Sequence, residues 1–394
     1  MKKKAYSIAL ASIFIISLVF VSSTASASIT ETRITNHGSA EMPAINGNRI
    51  VWTDTSNDES NIYMYDLSTK KQTQITTNGS ADKSAIYGNK IAWEEWQNED
   101  EASIYVKDLS TKKQTQITTN HGVDRLDIYD DKVVFASSGD LFIHDLSASK
   151  LTTIQNVDAG WPAIYGNKIV YSPAIISDEK SNIFMYDIST EKKTQITTSG
   201  SAYHPDIYGN RMVWMDNRNG NWDIYMYDLS TKKETRITTS SSDSESPVIY
   251  GNSIVWQDNR NGNWDIYAYD LKTHQQIHTT TKSDQMDPAI YGNRIVWEDY
   301  QNGQNIYMGT ISYLPVAAFS ASPTSGKHPL NVKFTDKSTD AYYWSWNFGD
   351  KSTSTDQNPT HKYTKAGKYT VSLIVKNTAG SNTKTISNYI TVKK

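Results

Sequence analysis

The chain has no cysteine. That excludes disulfides, thiolate metal sites and lipid-bearing thiols, and leaves stability to the packed core. Apart from Lys2, Lys3 and Lys4 it also lacks any basic run, and its formal charge of −3 makes it a poor partner for nucleic acid. Beyond the N-terminal stretch no apolar segment is long enough to cross a bilayer. Enzyme signatures are missing as well: no Gly-x-Ser-x-Gly elbow, no His-Glu-x-x-His, no phosphate-binding glycine loop, no dinucleotide fingerprint and no Ser-x-Asp-x-Gly-x-x-Trp box.

What is present begins with MKKKAYSIALASIFIISLVFVSSTASAS. Lys2, Lys3 and Lys4 precede an apolar run from Ala5 to about Val21, and the small residues Ala25, Ser26 and Ala27 follow. This order predicts a secretory signal over residues 1–27, cut after Ala27, with an uncleaved membrane anchor as the alternative. Cleavage removes three lysines and no acids, which takes the formal charge to about −6.

One phrase then recurs seven times: AINGNRIVW from Ala44, AIYGNKIAW from Ala85, DIYDDKVVF from Asp127, AIYGNKIVY from Ala163, DIYGNRMVW from Asp206, VIYGNSIVW from Val248 and AIYGNRIVW from Ala289. The spacings are 41, 42, 36, 43, 42 and 41 residues, the period of a unit of about four short strands. The short third unit has lost most of one loop, at ASSGD (Ala136–Asp140), and no strand. Within a unit, polar and apolar residues alternate with period two in RMVWMD and DIYMYDL, while Gly-Asn and Ser-Thr-Lys-Lys mark tight reversals. Strand a is the Pro-Ala-Ile piece, b is Ile-Val-Trp, c is Asp-Ile-Tyr-Met-Tyr and d is Thr-Gln-Ile-Thr. No helix is needed outside the signal.

A four-stranded sheet with two apolar faces cannot bury both alone, so the units must stack in a ring. The sequence therefore predicts an all-β chain whose residues 28–312 form a seven-bladed β-propeller. The seventh unit ends at its c strand, NIYMGTIS, and the missing outer strand stands at the N-terminus as TETRIT, ending at Thr35. Closing the last blade this way hides two sheet edges. The rings Trp52, Trp93, Phe135, Tyr171, Trp214, Trp256 and Trp297, one per b strand, are expected between blades. The aspartates of YDLST and its variants (Asp66, Asp108, Asp145, Asp187, Asp228 and Asp270) are expected to hold the c–d turn.

The phrase DNRNGNWDIYMYDL, followed by RIT, resembles TolB-type propeller repeats, and the likeness runs over roughly residues 30–311. TolB itself has six blades, so its partners are not carried over. After Leu314, the segments FTDKST, WSWNFGD, NPTHKYTKAGKYTVSLIVKN and a final ITV resemble a PKD domain, in its order. The resemblance implies an immunoglobulin-like β-sandwich over 313–394, with Trp346, Phe348 and Tyr369 as core or corner residues, a structural Gly349-Asp350 turn, and a role as spacer or adhesion module. Trp344 or Trp346 as a ligand stacker is the competing reading. A TolB-like propeller followed by a PKD domain also resembles the layout of methanogenic archaeal cell-surface proteins.

The a–b and c–d reversals are short and uniform and share one face of such a ring. The b–c and d–a loops vary and share the other, so a site is expected there. Two constellations are candidates. Trp96, Trp222, Trp264 and Tyr300, beside Asp216, Asp258 and Asp299, are expected to stack on sugars or grip a protein. Two residues before the strand-a proline position, Glu41, Asp82, Asp124 and Glu245 occupy four of seven units, and a ring would bring them round one axis to hold a hard cation such as Ca²⁺.

Histidines stand at unlike repeat positions, including His121, and His204 is the exception because it precedes Pro205 on an innermost strand. These features predict an exported, extracellular or cell-surface protein that is a non-enzymatic binding or structural platform. Its partner would be a cell-envelope or extracellular protein or polysaccharide. The alternative is a polysaccharide lyase or glycosidase, for which Asp127, Asp206 and His204 are the candidates. A TolB-like role as part of a complex rests on fold analogy.

Overall fold

The computed structural model describes residues 27–98, 101–118, 122–173 and 180–394. The signal segment, apart from Ala27, and His121 lie outside these residues. Among the described residues the fold is β apart from one 3-10 turn at Ser56–Asp58. No helix is long and apolar enough to cross a membrane.

Seven four-stranded antiparallel sheets are formed in sequence order, and the shortened third unit keeps all four strands. The seventh is completed by Ser28–Arg33, which pairs with Asn305–Ser312 from Ser28↔Ser312 to Arg33↔Tyr307. The N-terminal strand therefore closes the last blade, as its Ile-Thr pattern implied.

Burial shows that the sheets form a closed ring. Each apolar cluster joins two consecutive blades: Val51 and Ile62 of the first meet Ile91 and Trp93 of the second, and so on round. The last cluster joins Val296 and Ile306 of the seventh blade to Ile50 and Trp52 of the first. The seven large rings on the b strands are all fully buried. Each lies opposite an aromatic on strand c, from Trp52↔Tyr63 to Trp297↔Tyr307, and stacks on it at 4.9–6.3 Å. The repeat thus encodes half of its neighbour's core.

The turns obey local chemistry. In all six YDLST-type turns the aspartate Oδ1 accepts the backbone N–H groups two and three residues on, as Asp66 does from Ser68 and Thr69 at 2.9 Å each. The Gly-Asn turns latch blades together: Arg49 donates to Gly88 O and Asn89, Arg211 to Gly251 O and Asn252, and Arg294 to Gly47 O and Asn48.

Strand a departs from plain pairing. In five blades its register shifts just before the proline position, between Glu41 and Ala44, for example, and the residue there adopts left-handed backbone: Met42, Lys83, His204, Ser246 and Asp287. Such a bulge re-aims one side chain.

The C-terminal residues form a three-stranded and a five-stranded sheet over their own core, which includes Phe334, Trp346, Phe348, Tyr363 and Leu373. Trp346 is buried and donates Nε1–H to Asp356 O at 2.9 Å, so it is a core residue and not a ligand stacker. Trp344 packs half-buried against that core, its Nε1–H given to Asp336 at 2.9 Å. The Tyr369 hydroxyl reaches back to Lys365 O at 2.8 Å, a tyrosine corner. At Gly349, with φ +85°, an added Cβ would lie 2.3 Å from Thr370 O, so only glycine fits this turn.

Candidate functional site

The seven inner strands enclose a cavity of about 740 Å³ on the ring axis, a volume in the range of small-molecule sites. Toward the uniform face it narrows to a collar of tyrosines, one from each Ile-Tyr-Gly-Asn-type turn. Tyr87, Tyr129, Tyr165, Tyr208, Tyr250 and Tyr291 follow one another with ring centroids 4.6–5.0 Å apart. Asn46 fills the seventh place and accepts the Gly88 N–H at 3.0 Å. Burial, reinforced by Tyr87 and Tyr165, pushes the Tyr129 hydroxyl up to about 12, so that hydroxyl stays neutral at pH 7.

Above the collar the repeat breaks down. The position just before each strand-a proline site contributes one cavity residue per blade: Met42, Lys83, Arg125, Trp161, His204, Ser246 and Asp287. Seven equivalent places carry seven different side chains. Lys83 is spoken for, since its Nζ forms an ion pair with Glu94 Oε2 at 3.0 Å and donates to Val123 O at 2.5 Å. Arg125, Trp161 and His204 form a layered wall, with the guanidinium 5.5 Å from the indole centroid and the imidazole 3.8 Å from it on average ring position. Burial, with Arg125 adding to it, pushes His204 down to about 4, so it is a neutral imidazole at pH 7. Among the described residues neither Arg125 nor the Asp287 carboxylate has an ion-pair partner within 4.0 Å or a side-chain hydrogen bond.

Asp127 and Asp206 also line this cavity, each half-buried. Asp127 accepts the N–H groups of Ile128 at 2.7 Å and of Ile164, in the next blade, at 2.9 Å. Asp206 does the same with Ile207 at 2.8 Å and Ile249 at 2.7 Å. Burial pushes Asp127 up to about 6 against these bonds, and burial with the field of Asp127 pushes Asp206 up to about 7. The structure thus brings His204, Asp127 and Asp206 into one cavity. Both carboxyls, however, are committed to stapling blades together, and among the described residues His204 makes no hydrogen bond to a nucleophile or acid. Nothing here is assembled as an acid–base pair.

The two constellations expected from the sequence fare differently. Asp216, Asp258 and Asp299 are fully buried inside their loops, which corrects their reading as ligand contacts. Asp216 takes Ser199, Ser201 and Arg218 Nη2, whose Nη1 goes to Glu234; Asp258 takes Ser244, Trp256 Nε1 and the Arg260 fork; Asp299 takes Ser283, Gln285 and the Gln301 N–H. Arg218 and Arg260 at the same time lie over Tyr225 and Tyr267, at 4.3 and 4.4 Å. Trp96, Trp222 and Trp264 are half-buried. Trp96 packs across to Gly122, and Trp222 meets Tyr203 edge-on at 5.6 Å. Tyr300 remains exposed and donates its hydroxyl to Glu298 at 2.9 Å.

Glu41, Asp82, Asp124 and Glu245 do not converge on one point round the axis; their contacts are separate, and that of Asp82 reaches Thr53 of the preceding blade. Asp82 accepts from Thr53 and Lys83 N, and Glu245 from Gln257. Among the described residues no three carboxylates or imidazoles come close enough to hold a metal, so the four-carboxylate Ca²⁺ site is corrected. In the first, second and sixth blades the bulge explains the miss, because it turns the residue after the acid into the cavity; Asp124, on the unbulged third blade, does line the cavity. The usable signal lay one place along, in the break of the repeat at Met42, Lys83, Arg125, Trp161, His204, Ser246 and Asp287.

Comparisons with known proteins agree with this architecture. Residues 314–392 match the family model described as PKD domain. A collagenase, ColA of Bacillus cereus, is 51% identical over 49 residues, which is 12% of this chain and 5% of the collagenase. Among solved structures, the β-propeller domain of the Trilobed protease from Pyrococcus furiosus aligns at TM-score 0.58 and 15% identity, over 69% of this chain and 93% of that one. Pyrococcus horikoshii acylaminoacyl peptidase aligns at TM-score 0.56 and 13% identity, over 76% of this chain and 58% of that one. TolB from Acinetobacter baumannii is also similar, at TM-score 0.39 and 13% identity, over 68% of this chain and 78% of that one. At these identities the likeness concerns the fold.

Proposed function

We propose that the chain is an exported, non-enzymatic binding protein of the cell surface or extracellular space. Its propeller, over 28–312, receives a ligand in the axial cavity, and its PKD domain, over 313–394, serves as spacer or adhesion module. The observation that carries this reading is the ring of seven unlike side chains set on an otherwise uniform scaffold. Core packing alone has no use for variation at symmetry-equivalent positions that face a cavity.

The test is binding of the full mature chain to an array of cell-envelope glycans and peptides. Trp161→Ala should lose binding by about tenfold or more, while Trp222→Ala with Trp264→Ala keeps it. Retention in Trp161→Ala together with loss in the rim variant would move the ligand to the rim. One observation favours a polysaccharide-active enzyme instead, namely that His204, Asp127 and Asp206 share the cavity. First-order turnover abolished by His204→Ala would replace the binding reading with that one.

A further inference from the structure

Among the charged residues lining the axial cavity, Asp127 and Asp206 are held by backbone N–H groups and Asp124 lies in the field of Lys83, which leaves Arg125 and Asp287 to be considered together. Arg125 stands on the third blade and Asp287 on the seventh, at equivalent positions of the inner strand. In a ring of seven, three steps apart is as far as two blades can be, so the pair faces across the axis. They do not meet, for no ion pair joins them. Among the described residues neither has another ion-pair or side-chain hydrogen-bond partner, and Arg125 lies over the Trp161 ring. Lys83, the other cation of the ring, is neutralised by Glu94 at 3.0 Å. On the opposite side Glu298 commits one oxygen to Met42 N at 2.7 Å and the other to Tyr300 and Gln304, and it adds acid beside Asp287.

Arg125 and Asp287 are both exposed to the solvent of the cavity, and among the described residues neither gives its charged end to a protein hydrogen bond or ion pair. Two opposite charges thus face one cavity from opposite walls. A planar guanidinium fork fits a carboxylate with two parallel hydrogen bonds. A carboxylate set among further acids fits an ammonium group. The wall between them on one side is Trp161 and His204, the latter neutral, which suits an uncharged or aromatic side chain.

We infer that the cavity takes a zwitterionic ligand of the short-peptide type, its terminal carboxylate on Arg125 and its terminal ammonium toward Asp287. This rests on the proposal that the axial cavity is the ligand site. A cavity of about 740 Å³ has room for two or three residues. Such a ligand gives each of the two exposed charges an ion-pair partner.

The experiment is equilibrium dialysis of the mature chain against a randomised tripeptide mixture with free termini, read by mass spectrometry. The same mixture is offered N-acetylated and, separately, C-amidated. Retention of free-ended peptides should fall about tenfold or more on blocking either end. Arg125→Gln should remove the sensitivity to amidation, and Asp287→Asn the sensitivity to acetylation. Because the blocking is done on the ligand, the first comparison does not depend on how the variants fold. Equal retention of blocked and free peptides overturns the inference. So does retention of no tripeptide while a glycan binds and is lost in Trp161→Ala, an outcome that leaves the axial site standing. A ligand whose binding ignores Trp161→Ala, Arg125→Gln and Asp287→Asn overturns both.

Discussion

At the scale of single residues, Asp206 couples stability to pH in an unusual direction. Its carboxyl sits at about 7 in the folded chain, raised by burial and by Asp127, against an ordinary value of 3.8. Between those values the unfolded chain has released the proton and the folded chain still holds it. The folded state therefore binds more protons, and stability falls as pH rises from about 4 toward 7. Below about 4 the group is neutral in both states and this contribution is fully present. Asp206→Ala places there the residue that Ala44, Ala85, Ala163 and Ala289 supply in other blades. The variant loses two hydrogen bonds at every pH, but it also loses the slope. Chemical denaturation at pH 4 and pH 8 should show its deficit relative to the parent shrinking, or reversing, by an amount on the order of 2 kcal/mol. A deficit constant across that range would mean that Asp206 ionises normally.

A second residue follows the opposite logic. Burial alone would raise Asp258, but the hydrogen bonds from Arg260, Ser244 and Trp256 outweigh it and hold the carboxyl below its ordinary range. Its contribution is therefore present above the unfolded value and is lost as pH falls through the lower, folded one. Arg260→Ala leaves that carboxylate buried with its charge uncompensated. The cost should be about 2–3 kcal/mol at pH 7, seen as a lower denaturation midpoint with an unchanged slope. A loss below about 0.5 kcal/mol would show that the pair behaves as an exposed one.

At the scale of elements, the closing blade shows how a missing side chain is used. Other c strands carry an aromatic or a long residue where Gly309 stands, as Tyr65, Tyr227 and Tyr269 do. At Gly309 an added Cβ would lie 2.4 Å from Ile29 and 2.8 Å from Trp297, so the glycine makes room for the N-terminal strand to pack against the seventh blade. Gly309→Ala overpacks that seam and should cost about 1–3 kcal/mol, with faster proteolysis at the N-terminal strand than in the parent. Unchanged stability and unchanged proteolysis would place the closing strand elsewhere.

The same element explains what the sequence disclosed and what it hid. Period-two alternation and exact repetition exposed the b-strand rings, the Asp-held turns and the borrowed strand ending near Thr35, because each depends on residues close in sequence or repeated in register. The cavity was hidden by one-residue bulges. Plain alternation does not show that left-handed backbone at Met42, Lys83, His204, Ser246 and Asp287 turns those side chains to the axis. Asp216 was misread for a different reason. Its partners Ser199 and Ser201 come from the preceding d–a loop, and nothing in DNRNGNW announces them. The aromatic collar was visible as Ile-Tyr-Gly-Asn, but a turn motif drew attention to its glycine and not to its tyrosine.

At the scale of the whole molecule, the chain has two kinds of core. The propeller's clusters pass from blade to blade, and among the described residues past Ser312 only Tyr313 packs on one, the cluster between the sixth and seventh blades; the sandwich's cluster includes none from the blades. What joins the parts is narrow and, apart from Tyr313, polar. Gln275 clasps Leu314 through both of its backbone groups, at 2.9 and 3.0 Å, and Asn377 donates to Tyr313 O at 2.8 Å. A few hydrogen bonds of this kind contribute about 1 kcal/mol each, far less than either core. Calorimetry of the mature chain should therefore resolve two transitions, one for each core. Gln275→Ala should leave both temperatures within about 2 °C while making the backbone near Leu314 more sensitive to protease, because it loosens the clasp without touching either core. One cooperative transition, shifted as a whole by Gln275→Ala, would mean instead that the clasp couples the two cores into a single folding unit. A spacer that melts independently of its propeller would then be ruled out, and with it the proposed division of labour between binding and presentation.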